Sequence, residues 1–446
     1  DPTDKAFGDT ILAWLRFHRA MLIGEVVSEM LKYLRSNPAS THRGSFQHVL
    51  VDEYQDLNKA EQDLLGFVAE KASYSVIGDD DQSIYSFKHA HPEGIIEFPK
   101  RYAGTHNEEM NECRRCPTKV VAMANALILN NKYRSLRTLL ARAENPPGEI
   151  HIVQWLSMND EAKGVARFIA KKIENEEVAP GKVLVLAPRR TFGYLVRDEL
   201  TNKRIAAHSF FTEELFDGDV TGKEQCKAAE AYCLLSLLAY PDDRPSLRVW
   251  SGLGTSDLRR PAWEALRAYC ENGTASPRQV LDQMESGSLE LPLHKTTQRK
   301  LVERYALLKQ KLAALQPLRG SALFEALFPS GQAWAESLSA LAAKMKDDWS
   351  AQKVFETVST FISQPEMPLD ADYVRIMSLH KSKGLTADCV VVTGCIEGAL
   401  PCIDPNLPLA QQDRAIEEQR RLMYVAITRT RNILVLSSVI SLPRAV

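Results

Sequence analysis

Short apolar runs that end in polar residues recur along the first part of the chain. Residues 49–51 form such a run, and Asp52 and Glu53 follow it at once. Apolar residues at helical spacing follow from position 57 to position 68, and a second apolar stretch, residues 74–77, runs into a line of polar residues. This order predicts strand, helix and strand in succession. In an open parallel sheet the carboxyl-terminal edge, where ligands bind, would then carry both polar segments.

A second series of predicted strands and helices begins near residue 109. The apolar run at residues 182–188 is nearly continuous, which is typical of a parallel strand buried on both faces. Further strands are predicted at residues 150–154, 205–211, 389–394 and 433–437 and from residue 373 onwards, with helices at residues 92–102, 120–130, 160–174, 191–200 and 417–431. This alternation is typical of a second α/β domain.

Helical spacing dominates the remaining parts of the chain, residues 1–45 and 213–365. In the second part, helices are predicted at residues 228–239, 246–253, 262–270, 277–284, 298–315, 321–328, 333–347 and 350–362. The long charged helix near residues 297–316 would serve either as a DNA-facing surface or simply as a solvated face. We therefore predict an α/β protein whose second α/β domain contains an all-α insertion. The predicted boundaries are 1–108 for the first domain with its preceding helices, 109–212 and 366–446 for the two parts of the second, and 213–365 for the insertion.

Composition narrows the class of protein without identifying it. The 446 residues are enough for several domains, and 45% hydrophobic with 25% charged residues argues against general disorder. The net charge of −2 neither indicates nor excludes a nucleic-acid partner, since a local basic groove is sufficient. No apolar run has the length of a membrane span and no signal peptide opens the chain, so we expect a cytoplasmic protein without a membrane partner.

The eight cysteines show no disulfide framework, which favours a reducing compartment. Cys113 and Cys116 form a C-x-x-C pair, but no second pair lies at the spacing of a zinc site. We interpret these residues as buried or incidental cysteines rather than as metal ligands.

The polar segments after the first two strands carry the strongest chemical signal. Nucleotide-hydrolysing motors place a magnesium ligand and a water-orienting carboxylate at the end of a buried strand. An acidic pair alone is weak support for that reading, because many strands end in a surface acid. The stretch VDEYQD at residues 51–56, followed by GDDDQSIY at residues 78–85, is far more specific. These two segments resemble motifs II and III of the UvrD/Rep (PcrA-like) family of superfamily 1 DNA helicases.

Three later segments resemble further motifs of this family, in family order. Residues 110–118 are similar to motif IV and place Arg115 at the position of its arginine. Residues 373–385 are similar to motif V, with His380, Lys383, Gly384 and Leu385 matching, although Thr386 stands where the family usually has glutamate. Residues 417–431 are similar to motif VI and place Arg429 at its γ-phosphate sensor, on what we predict to be a helix. A surface ion pair or a helix-end arginine is the alternative reading of each arginine.

The resemblance implies two RecA-like P-loop NTPase-type motor domains, the first of them incomplete, that use ATP and Mg²⁺. It assigns to Asp52 the metal, to Glu53 the role of catalytic base, and to Gln82 a place near the γ-phosphate. Two arginines of the second domain would complete catalysis on closure. The residues that it assigns to nucleotide binding are Gln82, Arg115, Gly384 and Arg429.

The resemblance also implies that single-stranded DNA and duplex junctions are the partners. Aromatic faces stack on bases without reading sequence, and basic side chains meet phosphate. Core packing is the alternative for the aromatic residues, and a packed strand end is the alternative for the histidine. The residues that the resemblance assigns to DNA binding are Tyr85, Phe87, Lys88, Ser378, His380 and Lys381.

One element of the family pattern, the phosphate loop G-x-x-x-x-G-K-[ST], has no match in the sequence. The Gly-Lys pairs at residues 181–182 and 222–223 lack the preceding glycine and the following hydroxyl residue. We therefore expect a fragment of an ATP-dependent DNA helicase or translocase, moving 3′ to 5′ by family resemblance and acting in DNA repair or a related pathway. We expect this fragment not to turn over ATP alone. The alternative is a catalytically inert DNA-binding or scaffold subunit of a helicase complex. A helicase-nuclease is disfavoured, because no cluster of acids with a lysine follows the motor motifs.

Overall fold

The computed structural model describes residues 2–135, 137–210, 221–222, 226–363 and 371–442. Its α-helices are α1 (Pro2–His18), α2 (Ile23–Ser36), α3 (Lys59–Val68), α4 (Glu93–Arg101), α5 (Thr118–Ile128), α6 (Met158–Glu174), α7 (Arg190–Asn202), α8 (Lys227–Ala239), α9 (Arg244–Gly252), α10 (Arg260–Glu271), α11 (Pro277–Glu285), α12 (Lys295–Leu315), α13 (Gly320–Leu327), α14 (Ser339–Ala342), α15 (Ala351–Ser363) and α16 (Leu409–Ile427). Its strands are β1 (His48–Val51), β2 (Ser73–Val76), β3 (Glu112–Cys113), β4 (Leu140–Ala141), β5 (Glu149–Trp155), β6 (Val183–Ala187), β7 (Ala207–Ser209), β8 (Val374–Ser378), β9 (Ala387–Val392) and β10 (Thr430–Val439). The prediction of an α/β protein with parallel sheets is confirmed.

The largest sheet has six parallel strands in the order β5-β10-β9-β6-β8-β7. All residues of β6 are buried, which agrees with the apolar run that predicted this strand. Helix α6 begins after Ser157, whose side chain accepts the N–H of Asp160, and buries Val165 and Ile169 against the sheet. Because all six strands are parallel, the residues that follow β8 and β9 lie at the same edge of the sheet.

Strands β1 and β2 form a separate parallel pair in which Val51 lies opposite Val76. Helix α3 connects them and begins with a capping box, in which the side chains of Asn58 and Glu61 each accept a backbone N–H of the other. The polar segments after both strands therefore meet, and Asp79 N–H donates to Gln55 Oε1 at 2.9 Å.

The chain divides into two compact units, one of Asp1–Ile23 with Thr212–Met367 and the other of Gly24–Phe211 with Pro368–Val446. The described secondary structure of the first unit is helical, and its core includes Trp250, Leu308 and Val354. Helix α1 belongs to this unit because Phe17 is buried in the same core. The sequence analysis placed residues 1–108 together, so the position of α1 differs from that expectation.

Two details of the predicted helices also differ. The predicted helix at residues 333–347 is a 3₁₀ helix, Ala333–Leu338, followed by the single turn α14. The chain leaves the helical path beyond it, where Trp349 O accepts the N–H of Gly320 at 2.9 Å. The predicted strand at residues 205–211 is seen as β7, and its last residue lies outside the described part of the chain. Within that part, no helix has the length and apolar character required to cross a bilayer.

Candidate functional site

Asp52 and Glu53 lie in a tight turn at the end of β1. Glu53 has φ +53°, a left-handed conformation, and its N–H donates to Asp52 Oδ1 at 2.8 Å. Tyr54, which is buried, anchors the turn through an N–H bond of 3.0 Å to Ile77 O. Gln55 Nε2 donates to Glu53 Oε2 at 2.6 Å. The turn fixes two adjacent carboxylates at the sheet edge, with Asp52 exposed and the Glu53 side chain 46% exposed.

Lys383 connects this turn to the segment that follows β8. Its Nζ lies 3.2 Å from Glu53 Oε2 and 2.6 Å from Asp56 Oδ2, and it donates to Gln82 O at 3.0 Å. Burial raises the pKa of Asp56, although the ion pair with Lys383 opposes that shift. The sequence analysis matched Lys383 to a family motif but did not predict these contacts.

Gln82 lies between an acid of its own segment and an arginine distant in sequence. Its Nε2 donates to Asp79 Oδ2 at 2.7 Å, and its Oε1 accepts from Arg429 Nη2 at 3.4 Å. The amide thus links the loop after β2 to the turn before β10. Two residues that the sequence predicted to share a site are therefore in contact.

Buried Arg429 and partly buried Arg115 lie close together beside Gln82. Arg429 lies beyond the end of α16 rather than on the helix, because α16 ends at Ile427, and its Nε donates to Val425 O at 2.8 Å. Arg115 Nη1 donates to Thr428 O at 3.4 Å. Burial, and secondarily the charge of Arg115, lowers the pKa of Arg429 to about 10. Among the described residues neither guanidinium forms an ion pair with a carboxylate, so this position suits an anion.

The acidic segment after β2 makes contacts that the sequence did not indicate. Arg134 forms a bidentate ion pair with Asp81, at 2.8 and 2.6 Å, and both side chains are buried. Arg137 forms an ion pair with Asp79. These arginines lie in a polar segment with no strand or helix pattern and no recognisable motif, so no signal of the sequence pointed to them.

Four of the predicted DNA-binding residues cluster around the 3₁₀ helix Ser86–Lys88. The rings of Tyr85 and Phe87 have centroids 5.8 Å apart, and the ring of His380 lies 5.7 Å from that of Phe87. Lys88 Nζ lies 5.0 Å from the centroid of Tyr85. Phe87 is 64% exposed, so an aromatic face with an adjacent cation is available to a ligand.

The other two predicted DNA-binding residues, Ser378 and Lys381, are in contact with each other. Lys381 Nζ donates to Phe210 O at 2.8 Å, and Ser378 Oγ accepts the N–H of Lys381 at 3.4 Å. Gly384, predicted to bind nucleotide, has φ +81°, which allows the chain to turn between Lys383 and β9. Gln82 and Arg429, both predicted to bind nucleotide, are thus in direct contact. These contacts of Ser378 and Lys381 do not join them to the aromatic cluster of Tyr85, Phe87 and His380.

Two family models match the chain, one before residue 104 and one after residue 335. Residues 13–103 match the UvrD/REP helicase N-terminal domain, and residues 336–441 match the UvrD-like helicase C-terminal domain. Both matches support a UvrD/Rep-type superfamily 1 helicase.

Curated relatives are similar to the chain over most of its length. It is 26% identical over 488 residues to the ATP-dependent DNA helicase PcrA of Leuconostoc citreum, which covers 98% of the chain and 61% of PcrA. It is 28% identical over 465 residues to the ATP-dependent DNA helicase UvrD1 of Mycobacterium tuberculosis, which covers 96% of the chain and 59% of UvrD1. YjcD of Bacillus subtilis is 25% identical over 408 residues, with 89% of the chain and 52% of YjcD covered. The chain thus spans between about half and three fifths of the length of these relatives.

Proposed function

We propose that the protein is an ATP-dependent DNA helicase or translocase that moves along single-stranded DNA in the 3′ to 5′ direction. It would use two RecA-like motor domains, the second interrupted by the helical segment that contains α8 to α15. The observation that carries the proposal is the contact of Gln82 with Arg429, because it joins the loop after β2 to a buried arginine from the end of α16. The matches to the family models and the names of the relatives support the same function.

The turn after β1 fits the magnesium-dependent part of this chemistry. Asp52 offers an exposed carboxylate for Mg²⁺, which accepts one or two protein carboxylates with water and phosphate as its other ligands. When bound, the ion would neutralise charge on the nucleotide phosphates. Glu53 would orient the attacking water, and Lys383 Nζ lies 3.2 Å from its Oε2.

The arginine pair fits the terminal phosphate. The charge of Arg115 opposes that of the buried Arg429, and a γ-phosphate between or beside them would offset that repulsion. Arginine forks supply bidentate contacts to the equatorial oxygens and stabilise charge in the transition state. Gln82, in contact with Arg429, would sense the presence of that phosphate.

The segment that holds Gln82 leads directly to the aromatic cluster of Tyr85, Phe87 and His380. Single-stranded bases would stack on these rings, and Lys88 would meet backbone phosphate. Tyr85 and Phe87 follow Gln82 within five residues, so a movement of Gln82 would alter the position of these rings. This short path supports a motor in which nucleotide state alters the grip on DNA.

The test is ATP hydrolysis by the full-length protein, with and without single-stranded DNA, in wild type and in Glu53→Gln. Glutamine keeps the size of Glu53 but cannot act as a base, so we expect DNA-stimulated turnover to fall by about a hundredfold or more while DNA binding persists. Glu97→Gln, at an exposed position on α4, is the matched control and keeps full turnover.

Two results would contradict the proposal. Equal turnover in the wild type and in Glu53→Gln would exclude the assigned base. DNA binding without any turnover in the wild-type full-length protein would instead favour the catalytically inert DNA-binding or scaffold subunit.

A further inference from the structure

The C-x-x-C pair, Cys113 and Cys116, flanks Arg115 in the sequence. Cys113 ends β3, Cys116 precedes α5, and the N–H of Cys116 donates to Cys113 Sγ at 3.4 Å. Asn145 Nδ2 donates to the carbonyls of both cysteines, at 2.7 and 2.8 Å, and so holds the loop closed. The loop therefore keeps one cysteine sulfur against the backbone of the other cysteine.

The two thiols differ in the way that a reactive pair requires. Its contact with the Cys116 side chain, together with backbone N–H groups and the charge of Arg115, lowers the pKa of Cys113 to about 6. The same contact with Cys113, together with burial, raises the pKa of Cys116. Cys113 is half-buried and Cys116 is buried. The lowered pKa favours the nucleophilic thiolate at Cys113, and the raised pKa favours the protonated thiol at Cys116.

The other cysteines with a shifted thiol pKa differ from Cys113. Burial raises the pKa of Cys233, Cys389 and Cys395 to about 12 in each case. Cys402 is exposed and serves as a comparison for simple accessibility. An oxidant that selects thiolates would therefore react first at Cys113.

Cys116 is also a structural contact of the proposed catalytic turn. Its Sγ donates to Thr428 O at 3.2 Å, and Arg115 Nη1 donates to the same oxygen. Thr428 immediately precedes Arg429. A disulfide at Cys116 would remove the S–H group that donates to Thr428 O. Loss of this bond would alter the position of Thr428 and of Arg429.

We propose that Cys113 and Cys116 form a redox-sensitive dithiol, and that their oxidation to a disulfide displaces the turn that carries Arg429 and slows nucleotide turnover. Formation of the disulfide is independent of the proposed function, whereas its effect on turnover rests on it. In the first step hydrogen peroxide converts the Cys113 thiolate to a sulfenic acid and releases hydroxide. Cys116 sulfur then attacks the sulfenic sulfur, the S–S bond forms, and its proton leaves with the sulfenic hydroxyl as water. Two thiols and one peroxide thus give one disulfide and two waters, and a dithiol reductant reverses the change.

Three measurements on peroxide-treated full-length protein test the proposal. Alkylation with N-ethylmaleimide followed by peptide mass spectrometry should show Cys113 and Cys116 unalkylated and lighter by two hydrogens in total. Hydrogen exchange of the peptide covering residues 422–432 should become faster. DNA-stimulated ATP turnover should fall several-fold. Dithiothreitol should reverse all three changes.

Variants separate the pair from other effects of peroxide. Cys113→Ser should show none of the three changes, and Cys116→Ser should stop at a sulfenic acid on Cys113. Cys402→Ser, at an exposed cysteine, should respond as the wild type does. Full alkylation of both cysteines after peroxide would overturn the dithiol. A disulfide that leaves hydrogen exchange at residues 422–432 unchanged would overturn the displacement. If the reduced wild type shows no turnover, the proposed function fails, while mass and exchange still decide whether the switch exists.

Discussion

Arg429 shows how a single residue can be costly for the fold and suited to function. Its guanidinium is 3% exposed and bonds to Val425 O, Thr428 Oγ1 and Gln82 Oε1, all of which are neutral acceptors. Removing such a charge from water is unfavourable unless a counter-charge arrives. This arrangement holds the fork in a fixed position before any anion is present, which is the preorganisation that transition-state stabilisation requires.

We predict that Arg429→Lys lowers DNA-stimulated ATP turnover by about a thousandfold, within the range for an arginine finger. Lysine keeps the charge but loses the planar fork, so it cannot contact Gln82 and phosphate together. Binding of single-stranded DNA should stay within a few-fold of wild type. Steady-state ATP hydrolysis and fluorescence anisotropy with a labelled oligonucleotide measure the two quantities.

The control for this change is Arg431→Lys, since Arg431 is exposed two residues further along the chain. It should match the wild type in both assays. If Arg429→Lys turned over ATP at the wild-type rate, Arg429 would be a structural arginine rather than a phosphate sensor. A thermal melt of each variant distinguishes loss of chemistry from loss of fold.

The sequence identified those site residues that motifs mark and missed those that only folding brings close. Gln82 and Arg429 could be paired because each belongs to a recognisable motif. Arg134 and Asp81 are 53 residues apart, and the arginine lies in a segment without periodicity. Long-range ion pairs of this kind depend on the path of loops, which hydrophobic spacing does not encode.

At the scale of elements, a strand or helix could be predicted from the sequence according to how its faces are buried. Strand β6 was recognisable because both of its faces are covered, so every position is apolar. The sequence predicted that α1 is a helix but not the unit to which it belongs. An amphipathic pattern does not show which hydrophobic core the helix packs against. Its buried face contacts residues more than 200 positions further along the chain, as in the 245-residue separation of His18 and Trp263.

His18 at the end of α1 makes that contact dependent on pH. The ring is 1% exposed, its Nδ1 bonds to Trp14 O at 2.8 Å, and Trp263 Nε1 donates to its Nε2 at 3.3 Å. These bonds require a neutral ring with the proton on Nδ1, because Nε2 is the acceptor. Burial lowers the pKa of His18, and the nearby charges of Arg267, Arg248 and Arg244 act in the same direction.

We predict that His18 makes the helical unit less stable in acid. Its folded pKa lies below its unfolded value, so the unfolded chain binds more protons over that interval and the free energy of unfolding falls as pH falls. The contribution of neutral His18 to the free energy of unfolding is fully present above about pH 6.5. It is lost progressively as the pH falls below that value towards the pKa of His18 in the folded protein. The nearby arginines stay protonated over this range and do not contribute to the slope. Thermal melts at neutral and mildly acidic pH measure the effect.

The matched comparison for this prediction is between His18→Asn and His106→Asn. His18→Asn should melt lower at neutral pH, and its deficit relative to wild type should shrink as the pH falls. His106 is 82% exposed, and its replacement should keep the wild-type dependence. A constant deficit for His18→Asn at every pH would show that protonation of His18 does not affect stability.

At the scale of the whole molecule, the proposed binding of DNA would depend on local features rather than on net charge. The chain carries 55 basic and 57 acidic side chains, so it has no overall attraction for a polyanion. The predicted contact surface instead combines exposed Phe87 with Lys88 beside it. Stacking and charge neutralisation respond differently to salt, and this difference allows the two contributions to be separated.

We predict that Phe87→Ala and Lys88→Ala weaken binding of single-stranded DNA in two distinguishable ways. Loss of one stacking ring should cost about 1–3 kcal/mol at every salt concentration and leave the salt dependence unchanged. Loss of one phosphate contact should reduce the slope of log K against log salt by about 0.7. Anisotropy titrations of the full-length protein over a series of salt concentrations give both quantities.

Phe7→Ala is the control for loss of an exposed aromatic ring, since Phe7 is 68% exposed on α1 and should not affect either quantity. If Phe87→Ala bound as the wild type does while Lys88→Ala lost the expected slope, the ring would be a packing contact of Tyr85 and His380. If neither variant differed from wild type, DNA would bind elsewhere on the protein. The short path from Gln82 to this cluster would then carry no signal between nucleotide and DNA, because coupling requires a ligand that distinguishes the two states of the segment.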